Sequence, residues 1–454
     1  MAGNAPGRVL PTLNEDGTRR WIRPRRSPGR YWTRRAVIGW ALIALFVAVP
    51  FIKVGGYPVI LLDVPARQFH LFGRTFLATD GVLLMLLMLS IFVGVFWLTA
   101  MLGRVWCGYA CPQTVYMELL FRPIEQWIEG GRAGQLKLDK NGGGSRRMLK
   151  FAIFGLLSVF VANVFLAYFV GVERLGLWVA QGPIAHPTGF LVMAVTAGLV
   201  FFDFGYFREQ MCTVACPYAR FQSVLLDKDS LVVGYDEKRG EPRGKKGKTT
   251  GDCVDCGACV VTCPTGIDIR NGLQLECIAC AQCVDACDTV MDKLERPRGL
   301  IRYASQRTLG GEAKKLLRPR AFAYPLVMTL LVGLLVFAGG RTTKADVTVL
   351  RGLSAPFVVD QSGVRNQIRI KVQNRGNDDR TYNIELLDAN GAKLIAPENP
   401  LQVKSGERRE TTVFVLAPKE MFTDGKRAVE FRVSDGQGFD RTLPYKLLGP
   451  GGEK

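Results

Sequence analysis

The sequence predicts a multidomain membrane protein: a five-span α-helical core, a small cysteine-rich α+β lobe inserted after the fourth span, and a C-terminal β-sandwich. Three observations predict it. Five apolar blocks of near-bilayer length interrupt the 454 residues. All 12 cysteines lie between positions 107 and 287, eight of them within 253–287. The last hundred residues alternate apolar and polar positions between turn signals.

About 20 mostly apolar residues cross a bilayer core, and such blocks lie near 36–52, 81–102, 151–171, 189–207 and 321–340. The first is short and ends near Pro50. Orientation follows from Lys and Arg between the spans. Residues 1–35 hold nine, 103–150 eight and 208–320 nineteen, against three in 53–79 and one in 172–188. The basic segments belong in the cytoplasm. In a Gram-negative bacterium an odd number of spans then carries everything after Gly340 to the periplasmic side of the inner membrane. The formal charge of +19 is thus a topology signal. Nucleic acid is excluded as its cause because the arginines flank spans and no aromatic-interleaved basic patch exists. The stretch RRWIRPRRSPGRYWTRR leads into the first span without a small-residue cleavage site and reads as a retained anchor. Residues 1–30, rich in Pro, Gly and Arg, are expected to be disordered. The organisation predicted is a basic tail at 1–35, a four-span core at 36–207, a cytoplasmic segment at 208–320 with its cysteine lobe at 250–290, a fifth span at 321–340 and an outer domain at 341–454.

The lobe carries the strongest chemical signal. CVDCGACVVTCP sets Cys253, Cys256, Cys259 and Cys263 in C-x2-C-x2-C-x3-C-P spacing, and CIACAQCVDACD repeats it at Cys277, Cys280, Cys283 and Cys287. Three thiolates at i, i+3 and i+6 wrap three corners of a cubane, and the fourth comes from the other repeat. One 4Fe-4S cluster then takes Cys253, Cys256, Cys259 and Cys287, the other Cys263, Cys277, Cys280 and Cys283. Residues 250–290 resemble the bacterial two-cluster ferredoxin module, with Asp288 where the second repeat would carry proline. Structural zinc asks for different spacing, and a cytoplasmic location disfavours disulfides. GKKGKTTGD at 244–252 lacks P-loop spacing and reads as a flexible linker.

Two further pairs stand at span ends. WCGYACP holds Cys107 and Cys111, and MCTVACP holds Cys212 and Cys216. Each follows the second of two spans, so the core reads as a tandem duplication with both motifs at the same membrane face. Proline after each second cysteine suits the first position of a helix. That puts Cys111 and Cys216 at N-caps, where the helix dipole favours thiolate. Thiolates select soft metals, Cu(I) above all. A redox-active thiol pair, a third iron-sulfur site, structural zinc and simple packing remain open on spacing alone.

The two C-x3-C-P repeats, the two-cluster lobe, the fifth span and the terminal β domain together resemble the CcoG/FixG/RdxA family of accessory proteins for cbb3-type cytochrome c oxidase. PARQFHLFGR and RVWCGYACPQTVYMELLF carry the likeness further. The resemblance implies a cupric reductase that converts Cu(II) to Cu(I) for the oxidase, with Cys107, Cys111, Cys212 and Cys216 handling copper. The partners implied are oxidase subunits or assembly factors, copper-handling proteins and a cytoplasmic electron donor that nothing in the sequence identifies. The alternative is a quinol-linked membrane electron conduit to a partner protein; a non-redox scaffold sits badly with eight cluster ligands.

Other residues have blander readings beside sharper ones. His70 and His186, the only histidines, fall at the outer side, as interfacial residues, a haem pair or an outer copper contact. Asp203 near the inner end of span four is costly in lipid unless it faces a polar interior; it serves a cation or proton path or snorkels. The methionines of LLMLLMLS face lipid or pack, or relay copper. In 345–450, VTVL, FVVD, NQIRIKVQN, TYNIELL, ETTVFVL and AVEFRVSD predict about seven strands in an immunoglobulin-like sandwich without a disulfide, read as an interaction module.

Overall fold

Among the described residues, five helices are long and apolar enough to cross a membrane: Arg30–Phe51, Gly81–Leu102, Ser145–Val170, Pro187–Phe207 and Phe322–Gly340. The computed structural model describes all residues except 1–10, 15, 67, 78–79, 143, 245–250, 314–318, 341–343, 377, 388–390 and 451–454. Two helices begin six residues before the apolar run does, and each early start has a polar cause. The first opens at Arg30 because Asp285 of the lobe accepts hydrogen bonds from the backbone N–H of Tyr31 and Trp32, at 3.1 and 2.8 Å. A carboxylate at a helix start satisfies orphan donors and complements the dipole. The third opens at Ser145 because Lys150 reaches buried carboxylates, Glu129 at 2.7 Å and Glu125 at 3.3 Å.

The chain forms two compact units, Met1–Phe51 with Leu84–Leu335, and Ile52–Leu83 with Val336–Lys454. In the first, the lobe is closed by an antiparallel strand pair, Leu231–Tyr235 on Ile301–Ser305. Val233, Ile269, Val284, Met291 and Ile301 pack beneath the cysteine loops and the helix Gln282–Lys293. The lobe is therefore wider than 250–290, since two cysteine loops bury too little apolar surface without flanking strands to cover them.

The expectation of disorder through residue 30 is overturned for the described part of the tail. The Arg25 N–H donates to the Val261 carbonyl at 3.0 Å, and Thr262 Oγ1 donates back to the Arg25 carbonyl at 2.7 Å. Ile22 is buried, and Arg23 pairs with Glu125 at 2.7 Å. Composition suggests disorder here, but these arginines have buried carboxylates to neutralise. Residues 1–10 lie outside the described residues, as do positions 245–250 of the expected linker.

In the second unit, one sheet runs Lys393–Ile395, Arg408–Ala417, Gly363–Asn374, Ala345–Arg351, with Val358–Asp360 also on Gly363–Asn374. The other runs Leu401–Val403, Arg380–Leu387, Lys426–Ser434, Asp440–Leu448. Ile368, Ile370, Tyr382, Ile384, Val413 and Phe431 fill the space between them. This is an immunoglobulin-like sandwich with nine strands among the described residues, against about seven expected. Asp440–Leu448 pairs on one side alone within its sheet, an edge position that tolerates Pro444. A three-stranded antiparallel sheet, Ile60–Asp63, Gln68–Leu71 and Arg74–Leu77, was not expected. It belongs to the same unit: Tyr57 Oη donates to the Ser405 carbonyl at 3.3 Å, and Gln68 Nε2 to that of Gly406 at 2.9 Å.

A buried ion-pair network ties the lobe to the membrane core. Glu125 takes both guanidinium nitrogens of Arg208 at 2.9 Å, with Arg23 and Lys150 on the same carboxylate. Arg122 joins Glu118 to Glu209 and donates to the Pro264 carbonyl in the lobe. Burial alone would raise the Glu125 carboxyl, but Arg208, Arg23 and Lys150 hold it well below the carboxylate range. Glu125→Gln would strand three cations and is expected to destabilise by about 3–5 kcal/mol, measured by thermal unfolding in detergent. Because the folded carboxyl titrates below its unfolded value, its stabilisation is complete above the ordinary value near 4.5 and is lost as pH falls beneath it. The gap between parent and variant should therefore narrow in acid.

Candidate functional site

Both cysteine loops of the lobe fold by the same device. Asp255 and Gly257 flank Cys256 with φ of +52° and +66°, and Ala279 and Ala281 flank Cys280 with +52° and +57°. Left-handed residues on either side of the middle cysteine curl each loop around its own thiols, and non-glycine residues adopt them at a cost of about 1–2 kcal/mol. The fourth cysteine of each repeat lies across from its own loop. Cys263 is in electrostatic reach of Cys277, Cys280 and Cys283, and Cys287 of Cys253, Cys256 and Cys259. Cys259, Cys263, Cys277, Cys280 and Cys283 line one cavity. Burial pushes the thiols of Cys259, Cys280 and Cys287 up to about 12, so each keeps its proton until a cation displaces it. Among the described residues no three His, Cys, Asp or Glu side chains converge on a single-ion position.

The membrane-edge motifs repeat a second design. Cys111 and Cys216 are both N-caps, with φ, ψ of −63°, 125° and −70°, 111°, and Pro112 and Pro217 open the helices Pro112–Tyr116 and Pro217–Leu225. The turns before them differ: Val105–Tyr109 is α-helical and Met211–Ala215 is a π-helix, a widened turn common at functional sites. The four thiols are neighbours. Cys107 is influenced by Cys111 and Cys216, and Cys212 by Cys111, Cys107 and Cys216. The expectation that a helix start favours thiolate is overturned at Cys111. Burial raises that thiol, and the backbone N–H groups of Thr114 and Gln113 only oppose it. Burial likewise takes Cys107 to about 12 and raises Cys212. In a dry pocket the field at a helix start supplies less than the water it displaces.

Polar residues that the sequence did not single out complete the site. Gln222 Nε2 lies 3.3 Å from Cys107 Sγ. Gln113 Nε2 donates to Asp203 Oδ1 and to the Arg208 carbonyl, both at 3.1 Å. Asp203 thus faces a polar interior, close enough to act on Cys111 and Cys212. The available signal was a glutamine a few residues past each cysteine motif in otherwise apolar sequence.

The two cysteine systems touch through Gly108. A Cβ on Gly108 would stand 2.8 Å from the Ala279 carbonyl oxygen and 2.9 Å from that of Ile278, so the motif rests on the backbone between Cys277 and Cys280. Arg35 Nε donates to the Gly108 carbonyl at 2.6 Å, and Arg104 donates to the carbonyls of Gln274, Leu275 and Cys277. His70 is not part of this: it is buried, stacked on Tyr57 at 4.0 Å and bonded through Nδ1 to Thr75. His186 stacks on Trp178 and bonds Gln181. Met85 and Met88 are exposed on their span, as lipid-facing side chains are. Gly108→Val is expected to part the two systems at about 1–3 kcal/mol of overpacking. It should lower the unfolding temperature, while Gly198→Ala, which meets nothing within 4 Å, should not.

Comparison with known proteins gives three family models in chain order. Residues 84–131 match a 4Fe-4S binding domain, 207–306 a 4Fe-4S dicluster domain, and 335–450 the Ig-like fold at the C-terminus of FixG. Protein RdxA of Cereibacter sphaeroides is 33% identical over 80% of this chain and 81% of its own length. Nitrogen fixation protein FixG of Rhizobium meliloti is 31% identical over 94% and 92%. Protein RdxB of Cereibacter sphaeroides is 31% identical over 87% and 88%.

Proposed function

Because the chain belongs to the family of FixG, RdxA and RdxB, iron-sulfur electron-transfer proteins, we propose that it reduces Cu(II) to Cu(I) at the four membrane-edge thiols. The product serves assembly of a cbb3-type cytochrome c oxidase, whose subunits or assembly factors are the partners. The observation that carries the reading is the contact of Gly108 with the backbone between Cys277 and Cys280, which brings a soft-metal thiol set against a cluster-binding loop. Bound iron-sulfur centres supply one-electron transfer. Cys253, Cys256, Cys259 and Cys287 hold one, and Cys263, Cys277, Cys280 and Cys283 the other.

The remaining chemistry belongs to side chains. Cys107, Cys111, Cys212 and Cys216 bind copper as thiolates, which favour Cu(I) over Cu(II) and so make the bound ion easier to reduce. Each buried thiol releases its proton as copper arrives, and Asp203, held by Gln113, is a nearby carboxylate to receive one. One electron then converts each Cu(II). The proposed setting is the bacterial inner membrane, with tail and lobe cytoplasmic and the Ig-like domain periplasmic, where it docks partners.

One observation favours a second reading. The 4Fe-4S match at 84–131 contains only Cys107 and Cys111, half the thiolates of a cubane, and Cys212 with Cys216 would complete a third cluster. Iron analysis separates the two, at about eight against about twelve atoms per chain.

The decisive experiment adds Cu(II) anaerobically to reduced protein and follows optical reoxidation beside Cu(I) formation. Replacing the four membrane cysteines by serine is expected to abolish Cu(I) formation and spare cluster absorbance. Cys256→Ser or Cys280→Ser is expected to lose that absorbance. Cu(I) formation that survives the fourfold change would sink the copper reading.

A further inference from the structure

Behind the first cysteine motif lies a cavity of about 540 Å³, within the range of small-molecule sites. Its walls come from three membrane spans, with Phe46 on the first, Phe165 on the third and Thr196, Leu199 and Val200 on the fourth; Ala110, Pro112 and Gln113 close its inner end. Leu199 is 64% and Phe165 44% exposed. Both sit on spans, so the mouth opens toward lipid chains. A ligand entering from that side would be lipid-soluble, unlike a hydrated copper ion.

The cavity is not uniformly apolar. Tyr116 lines it, and its buried hydroxyl has no hydrogen-bond partner among the described residues. Burial raises that phenol to about 12, so it stays an O–H donor. A buried donor left unpaired costs about 1–3 kcal/mol. An acyl chain would fill the walls and leave that cost standing. A quinone ring has an oxygen to accept from the hydroxyl and an isoprenoid tail for the lipid-facing mouth. At the inner end Ala110 and Pro112 line the cavity, and these are the chain neighbours of Cys111 on either side.

We propose that this cavity seats the head group of a lipid-soluble hydroquinone, which donates the electrons in place of the cytoplasmic donor expected from sequence. The donor role rests on the copper-reductase reading; the binding site does not. The hydroquinone loses two electrons and its two O–H protons to become quinone. Two Cu(II) ions, bound in succession, each gain one electron to become Cu(I). The protons pass to the Asp203 carboxylate beside Gln113 and on to water.

The test uses the full chain in lipid nanodiscs with a short-chain benzoquinone bearing a photoreactive tail. A photoreactive alkyl lipid of equal length without the ring serves as comparison. The quinone is expected to label residues 110–116 and 196–204, and unlabelled short-chain quinone should compete. Tyr116→Phe should weaken binding about five- to tenfold, the worth of one hydrogen bond. Thr196→Trp at the exposed mouth should abolish labelling with iron content and unfolding temperature unchanged. Labelling that the ringless lipid matches, or that ignores both free quinone and Tyr116→Phe, overturns the site. If quinone binds and its hydroquinone yields no Cu(I), the donor role falls and the binding site stands. If quinone fails to bind while dithionite-reduced protein still forms Cu(I), the site falls and the copper reading stands.

Discussion

Glu125 is 1% exposed and faces cations from three separate stretches of chain: Arg23 in the N-terminal tail, Lys150 at the start of the third span and Arg208 just past the fourth. A carboxylate this deep is tolerated only when paired, and each partner would be stranded in turn if it left. The charge therefore fixes where the tail and two span ends meet. Arg122, one turn away, extends the arrangement through Glu118 and Glu209 to the Pro264 carbonyl of the lobe. The lobe answers with Gln282 on Glu118 and Asp285 on the start of the first span. Such networks add little net stability over apolar packing, but they reject misregistered arrangements strongly. Here register matters, because it sets the thiol motif against the cluster loop.

That contact explains why a glycine stands inside WCGYACP. Electron transfer weakens steeply with separation, and at Gly108 there is no room for a Cβ against the carbonyl oxygens of Ile278 and Ala279. Arg104 donates across the joint to the Cys277 carbonyl and Arg35 holds the Gly108 carbonyl from the first span, so the joint depends little on side-chain identity in the loop. The same residues put positive charge beside thiols that burial otherwise keeps neutral.

Much of this was legible in sequence because the signals were spacings. The cubane-wrapping repeats, the proline after each second edge cysteine and the bilayer-length apolar blocks each constrain local geometry whatever surrounds them. The N-cap positions of Cys111 and Cys216 were read that way. Less legible were the start of the first helix, set by Asp285 some 250 residues away, the order of the tail, set by Glu125, and the small sheet at 60–77, whose strands find support beside the C-terminal sandwich. Each depends on a partner distant in sequence that no local pattern announces.

By itself the sequence determined the kind of chemistry and the parts list: twelve thiols in two designs, five apolar helices and an alternating β domain, because ligand spacing and hydrophobic period are local properties. Only the tertiary structure decided how those parts meet. It put Gly108 on the 277–280 loop, gathered four edge thiols with Asp203 and Gln113, and opened a cavity behind them whose tyrosine hydroxyl has no partner among the described residues. It also reversed the expected ionisation of Cys111, because burial is a property of the assembled fold and outweighs the field at the helix start.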